Sequence, residues 1–121
     1  MKKLGLVGLA AALFVACGPP SPMAQCKEGS VLQCKRVNEC YDAATKKDPA
    51  FIALFGATET ECVSKLNSTE CTFSETNPCS DSSKKWDASK ASACQEDIRK
   101  ASCETIKGGT FTSGNCTGIC G

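Results

Sequence analysis

The chain has 121 residues, 14 basic and 13 acidic side chains, 11 cysteines and no histidine. Its near-neutral charge implies no strongly basic face, which argues against nucleic acid and against a polybasic membrane patch. The missing histidine removes Ser-His and Cys-His nucleophile systems, histidine general bases and histidine metal ligands together.

The first element is a short basic head, Lys2-Lys3, followed by an uncharged apolar stretch from Leu4 to Val15. Spanning a bilayer takes about 20 apolar residues, so this stretch is too short. It suits the middle of a secretory signal, roughly 7–15 residues behind a basic start. It runs into Phe14-Val15-Ala16-Cys17-Gly18, which resembles the lipobox of bacterial lipoproteins. Ala16 is the small residue before the cut, and Phe14 stands where that family prefers Leu. The resemblance implies a signal peptide over residues 1–16 and a lipidated Cys17, with diacylglycerol on its sulfur and an acyl chain such as palmitate on its amine. Gly18 is not the Asp that retains such proteins in the inner membrane, so the resemblance implies the outer membrane. Ordinary signal cleavage after Ala16-Cys17-Gly18 is the alternative.

Without residues 1–16 the chain has 105 residues, 12 basic and 13 acidic, with ten Val, Ile or Leu and six aromatic residues. That is a thin core for its length, and such chains usually need covalent staples. Setting Cys17 aside leaves Cys26, Cys34, Cys40, Cys62, Cys71, Cys79, Cys94, Cys103, Cys116 and Cys120. Ten close five disulfides with no thiol left over. No C-x2-C knuckle is present, so an exported framework of disulfides is expected and no metal site. Each bond typically adds about 2–4 kcal/mol.

Residues 17–25 read as the lipidated cysteine and a proline-rich extended tether, leaving 26–121 as a cysteine-rich helical domain. Ser30-Val31-Leu32-Gln33 is a capping box, and Cys34, Val37, Tyr41 and Ala44 continue one helical face to about Lys46. Asp48-Pro49 opens a short helix, Ala50 to Phe55, that Gly56 stops. Thr58-Glu59-Thr60-Glu61 caps a third, through Leu66, with Asn67 as a left-handed stop. Residues 68–85 are turn-rich and irregular. From Asp87 a helical face returns with Ala91, Cys94, Ile98 and Ala101, Ser92-x-x-Gln95 offering an internal cap, and Lys107-Gly108-Gly109 ends it. Residues 114–121 form a glycine-rich strap. The fold class is all-α, a small disulfide-rich bundle of three to four helices with irregular loops.

Cys62-x3-Leu66-x4-Cys71 and Cys94-x3-Ile98-x4-Cys103 form a weak internal repeat. The overall pattern resembles the small cysteine-rich lipoproteins of myxobacteria and their relatives, a family without an assigned activity to carry over. Helical rise predicts that Cys34 does not pair with Cys40, six residues on along one helix, and that Cys94 does not reach Cys103 if the helix around Ile98 runs unbroken through Ala101, because such separations exceed disulfide reach. Cys34, Cys40 and Cys94 are therefore expected to bond to other segments.

For catalysis the nearby carboxylates are Glu59 with Glu61 and Glu96 with Asp97, and both pairs suit helix-end or surface roles better. Trp86, alone in a polar stretch, is the candidate interface residue, against the plainer reading of a ring packed on the disulfide core. The expectation is a membrane-tethered, non-catalytic structural or binding module, with no cofactor, its lipid anchor in the membrane and an unknown envelope protein as partner. An inhibitor or immunity-type protein with a rigid disulfide-held loop is the alternative, and a carboxylate envelope hydrolase the third.

Overall fold

Serine and proline decide where the first helix begins. In the computed structural model, which describes residues 20–75, 78–108 and 113–121, Ser21 caps α1 (Pro22–Cys40) by accepting from the Ala24 amide at 3.1 Å. Pro22 sits in the first turn, where its missing N–H costs nothing and its φ is already helical. The helix therefore starts well before Ser30 and takes in the last residues of the expected tether. Ser30 is not a cap: it is buried in mid-helix and donates back to the Cys26 carbonyl at 3.3 Å. The expected signal segment 1–16, Cys17, the first tether residues, Asn77 and Gly109 lie outside the described residues. Among those described, no helix is long and apolar enough to cross a membrane.

α1 stops at Cys40 rather than near Lys46, because Tyr41 turns extended. Asp42 then accepts from the Thr45 amide at 2.7 Å and a 3-10 turn, Thr45–Lys47, follows. α2 (Pro49–Phe55) is as the sequence reads it: Asp48 caps it, and Gly56 ends it at φ +83°. α3 (Glu59–Glu70) is capped by Thr58, whose hydroxyl accepts from the Glu61 amide. Glu61 reaches back to the Ala57 amide at 2.7 Å, one residue beyond the usual capping box. α3 runs through Asn67, which is not left-handed. α4 (Ala88–Lys100) starts on Asp87, with Arg99 and Lys100 against the negative end of its dipole. It breaks at Ala101, which is extended, and Ser102 re-caps the chain into α5 (Cys103–Gly108) by accepting from Thr105. Ser92-x-x-Gln95 caps nothing. The strap contains one turn, α6 (Gly114–Thr117), then lies beside 85–87 through Lys85–Gly121 and Asp87–Ile119 backbone bonds.

The fold is all-α, with no strand among the described residues; isolated bridge positions occur at Ser74 and at Trp86, which pairs with Cys120. α1 is its axis and uses two faces. Cys26, Ser30 and Cys34, four residues apart, face α3: Cys26 bonds Cys71, Cys34 bonds Cys62, and Ser30 Oγ lies 3.7 Å from Cys71 Sγ. Eight residues on α1 match nine on α3 in reversed order, about 12 and 13 Å of rise, so the two helices run antiparallel. Gln25, Arg36 and Cys40 form the second stripe, meeting Ser92, Ala101 and Cys103 in the same order, so α4 runs parallel to α1. Cys94–Cys116 and Cys79–Cys120 hold the strap. No helical cysteine pairs within its own helix. Of the eight buried apolar residues described, six are cysteines (34, 40, 62, 71, 79, 94), beside Ala91 and Ile98. Covalent cross-ties thus occupy the place where most domains bury aliphatic side chains. A satellite cluster of Tyr41, Phe51 and Phe55, with ring centroids 5.0–6.3 Å apart, closes the other end of α1.

Candidate functional site

Between α1 and α4 lies an open groove of about 390 Å³. Its floor is apolar: the Cys26 and Cys94 ends of two disulfides, Ala91 and Ile98, with Ile119 of the strap. Phe73 and Trp86, 5.7 Å apart between ring centroids, form its aromatic end. Polar groups are few: Ser30, the amides of Gln25, Gln33 and Gln95, and the Glu70 carboxylate. Gly29 lies in the wall, and a Cβ there would meet nothing within 4 Å. A mid-helix glycine costs about 1 kcal/mol relative to alanine, and here there is free space beside it for a larger side chain to enter the groove.

Gln25 organises this site. It is 3 % exposed, yet every polar atom of its side chain is engaged. Its Oε1 accepts from Trp86 Nε1 at 2.7 Å, and its Nε2 donates to the Ala88 carbonyl at 3.0 Å and to Ser92 Oγ at 3.3 Å. Its backbone carbonyl accepts from Gln95 Nε2 at 3.0 Å. One buried amide therefore joins the first turn of α1 to α4 and orients the indole. The sequence reading places Gln25 in the tether, because a glutamine after three prolines carries no apolar periodicity. Ser21-Pro22, a cap followed by proline, was the signal that a helix starts there.

Trp86 is half-buried and packed on the domain, with its indole N–H committed to Gln25. It borders both the groove and a second hollow, of about 450 Å³, lined also by Pro22, Glu75, Pro78, Ser82, Lys84 and Lys85. The neighbouring 78–85 segment is pinned down by Cys79–Cys120, by Asp81 accepting from Ser83, and by the Lys85–Gly121 bonds. The Ser83 hydroxyl and amide hold the Asp81 carboxyl below its ordinary range.

No family model, curated protein or solved structure matches this chain. The site must be read from its own chemistry.

The carboxylates do not converge on the groove. Glu61 serves the start of α3, and Glu96 pairs with Arg99 on the surface. Asp97 accepts from Ser113 Oγ and from Asn115 Nδ2, and these two bonds, the serine's first, lower its pKa. That carboxylate ties α6 to α4. The two repeat units also differ in use: Cys62 and Cys71 both bond to α1, whereas Cys94 bonds to the strap and Cys103 to α1. What the groove offers is an apolar floor, aromatic faces and amides that fix orientation, which is the chemistry of a binding site.

Proposed function

We propose that this protein is a lipid-anchored binding module of a bacterial outer membrane, without catalytic activity, that presents the α1–α4 groove to an envelope partner. The groove itself carries the binding reading: a concave apolar surface with oriented amides, with free space beside Gly29 and disulfides on both sides. The anchor reading is supported by Lys2-Lys3, the apolar stretch to Val15, and Ala16-Cys17. Cys17 would bear diacylglycerol and an amine-linked acyl chain, and the short segment to Pro22 would hold the domain close to the membrane.

Two measurements test this. Intact mass of protein extracted from membranes should correspond to a chain beginning at Cys17 with acyl chains, and Cys17→Ser should release a folded domain. An unmodified N-terminus at Pro19 would overturn the anchor. Affinity capture from native envelopes should recover a partner with the natural chain and lose it with Gly29→Leu, which fills the groove with a good helix former. Equal recovery by a folded Gly29→Leu variant would overturn the groove as the binding surface.

A further inference from the structure

The five disulfides divide the chain in a way that their spacing along the sequence conceals. Cys34–Cys62 is nested inside Cys26–Cys71, and Cys94–Cys116 is nested inside Cys79–Cys120. Each nest closes one half of the domain on itself: α1 to α3 in the first, α4 to the strap in the second. Only Cys40–Cys103 crosses from one nest to the other. The groove lies along this same division, with Cys26, Gly29, Ser30 and Gln33 contributed by the first half and Ala91, Cys94, Gln95 and Ile98 by the second.

The crossing bond is also the accessible one. Among the ten paired cysteines, Cys103 alone is exposed; the partners in the other four bonds are buried or half-buried. Cys40 itself is only 7 % exposed. Thiol–disulfide exchange requires a thiolate to approach a sulfur, so access decides which bond and which end is attacked. Among the described residues, the halves are also joined near Cys103 by Arg36 donating to the Ala101 carbonyl, by Tyr41 Oη donating to the Lys107 carbonyl at 3.4 Å, by Lys107 Nζ 5.9 Å from the Tyr41 ring centre, and by the attraction of Lys107 for the Asp42 carboxylate. The Gln25 cluster sits at the opposite end of α1, which makes it the pivot.

We propose that Cys40–Cys103 is a reducible clasp, and that its exchange with a dithiol reductant through Cys103 frees the two walls of the groove while each half keeps its own pair of bonds. One thiolate of the reductant attacks Cys103 Sγ, the Cys40–Cys103 bond breaks, and its electron pair leaves on Cys40 Sγ, which takes a proton from water. The mixed disulfide on Cys103 is then resolved by the reductant's second thiolate. Cys103 leaves as a thiolate and takes a proton from water, and the reductant ends as its own disulfide. Two electrons have moved, and the reverse sequence closes the clasp. The device stands on the fold alone, whether or not Cys17 carries lipid.

The test uses the full chain in detergent micelles, titrated under native conditions with dithiothreitol and alkylated at each step before peptide mapping. Cys40 and Cys103 should be labelled roughly tenfold faster than any other pair, giving a species with four bonds and undiminished helicity. In that species the amides of residues 95–101 should exchange faster than in the oxidised protein. A monothiol, glutathione, should form its adduct on Cys103 and not on Cys40. Joint reduction of all five bonds, earlier labelling of another pair, or an adduct on Cys40 would overturn the proposal. Cys40→Ser/Cys103→Ser should fold with four bonds and show the same faster exchange; failure to fold, or unchanged exchange, would count equally against it.

Discussion

Replacing Gln25 by alanine is the sharpest test of how this domain is held together. The substitution removes three side-chain hydrogen bonds, to Trp86, Ala88 and Ser92, from a site only 3 % exposed. Each such bond contributes about 1 kcal/mol net, so the loss is about 3 kcal/mol. Water entering from the groove can satisfy Trp86 Nε1 in part, which brings the lower bound to about 2 kcal/mol. For a domain of this size each kcal/mol moves the midpoint by about 4–8 °C, so Tm should fall by roughly 10–20 °C. Trp86 is the sole tryptophan, so its emission reports on the site directly and should shift to the red in the folded variant. Gln25→Glu should be at least as damaging, because a carboxylate cannot donate to the Ala88 carbonyl and its charge would be buried unpaired. A drop of less than about 2 °C with unchanged emission would refute the role given to Gln25.

Two further outcomes follow from the same contacts. Gly56→Ala should cost about 1–3 kcal/mol, read as a lower urea midpoint at constant slope, because φ is +83° and the new Cβ would lie 2.6 Å from Glu61 Cβ; a neutral result would refute the turn argument. Asp97, whose folded pKa is lowered below its ordinary 3.8 by Ser113 and Asn115, contributes to the closed strap above that value and loses its contribution as pH falls through the folded pKa. Amide exchange in 113–117, corrected for intrinsic rates, should therefore accelerate on acidification below 3.8 in the natural chain. Asp97→Ala should show the fast rate already at neutral pH, and a strap that exchanges identically in both would refute the tie.

The helix starts at Asp48, Thr58 and Asp87 were legible because a cap is a local device: one side chain and the amides two or three residues on. The same logic misassigned Ser30, since the Ser-x-x-Gln pattern also occurs inside a helix when an earlier cap wins. Ser21-Pro22 is that earlier cap, and it moves the start of α1 nine residues towards the N-terminus. The break at Ala101 was missed for a related reason. The face from Ala91 to Ala101 continues the helical period, but Ser102 re-caps the chain just before Cys103 reaches across to Cys40. Of the candidate site, the sequence marked Trp86 as a possible interface residue and Ala91, Cys94 and Ile98 as one helical face, but it carried no sign of Gln25.

By itself the sequence determined the all-α class, through caps and helical periodicity, the even set of ten half-cystines, through composition, and the exclusion of Cys34–Cys40, through rise along one helix. None of these requires a second element. The tertiary structure alone decided which cysteines meet, with separations from 22 to 63 residues. It also decided that one bond joins two self-closed halves, and that a glutamine from the supposed tether is their buried pivot. Those facts arise from how α1 presents two faces, one to an antiparallel and one to a parallel neighbour. No local pattern encodes them, because the energy that selects them is shared among contacts that exist only once the helices have packed.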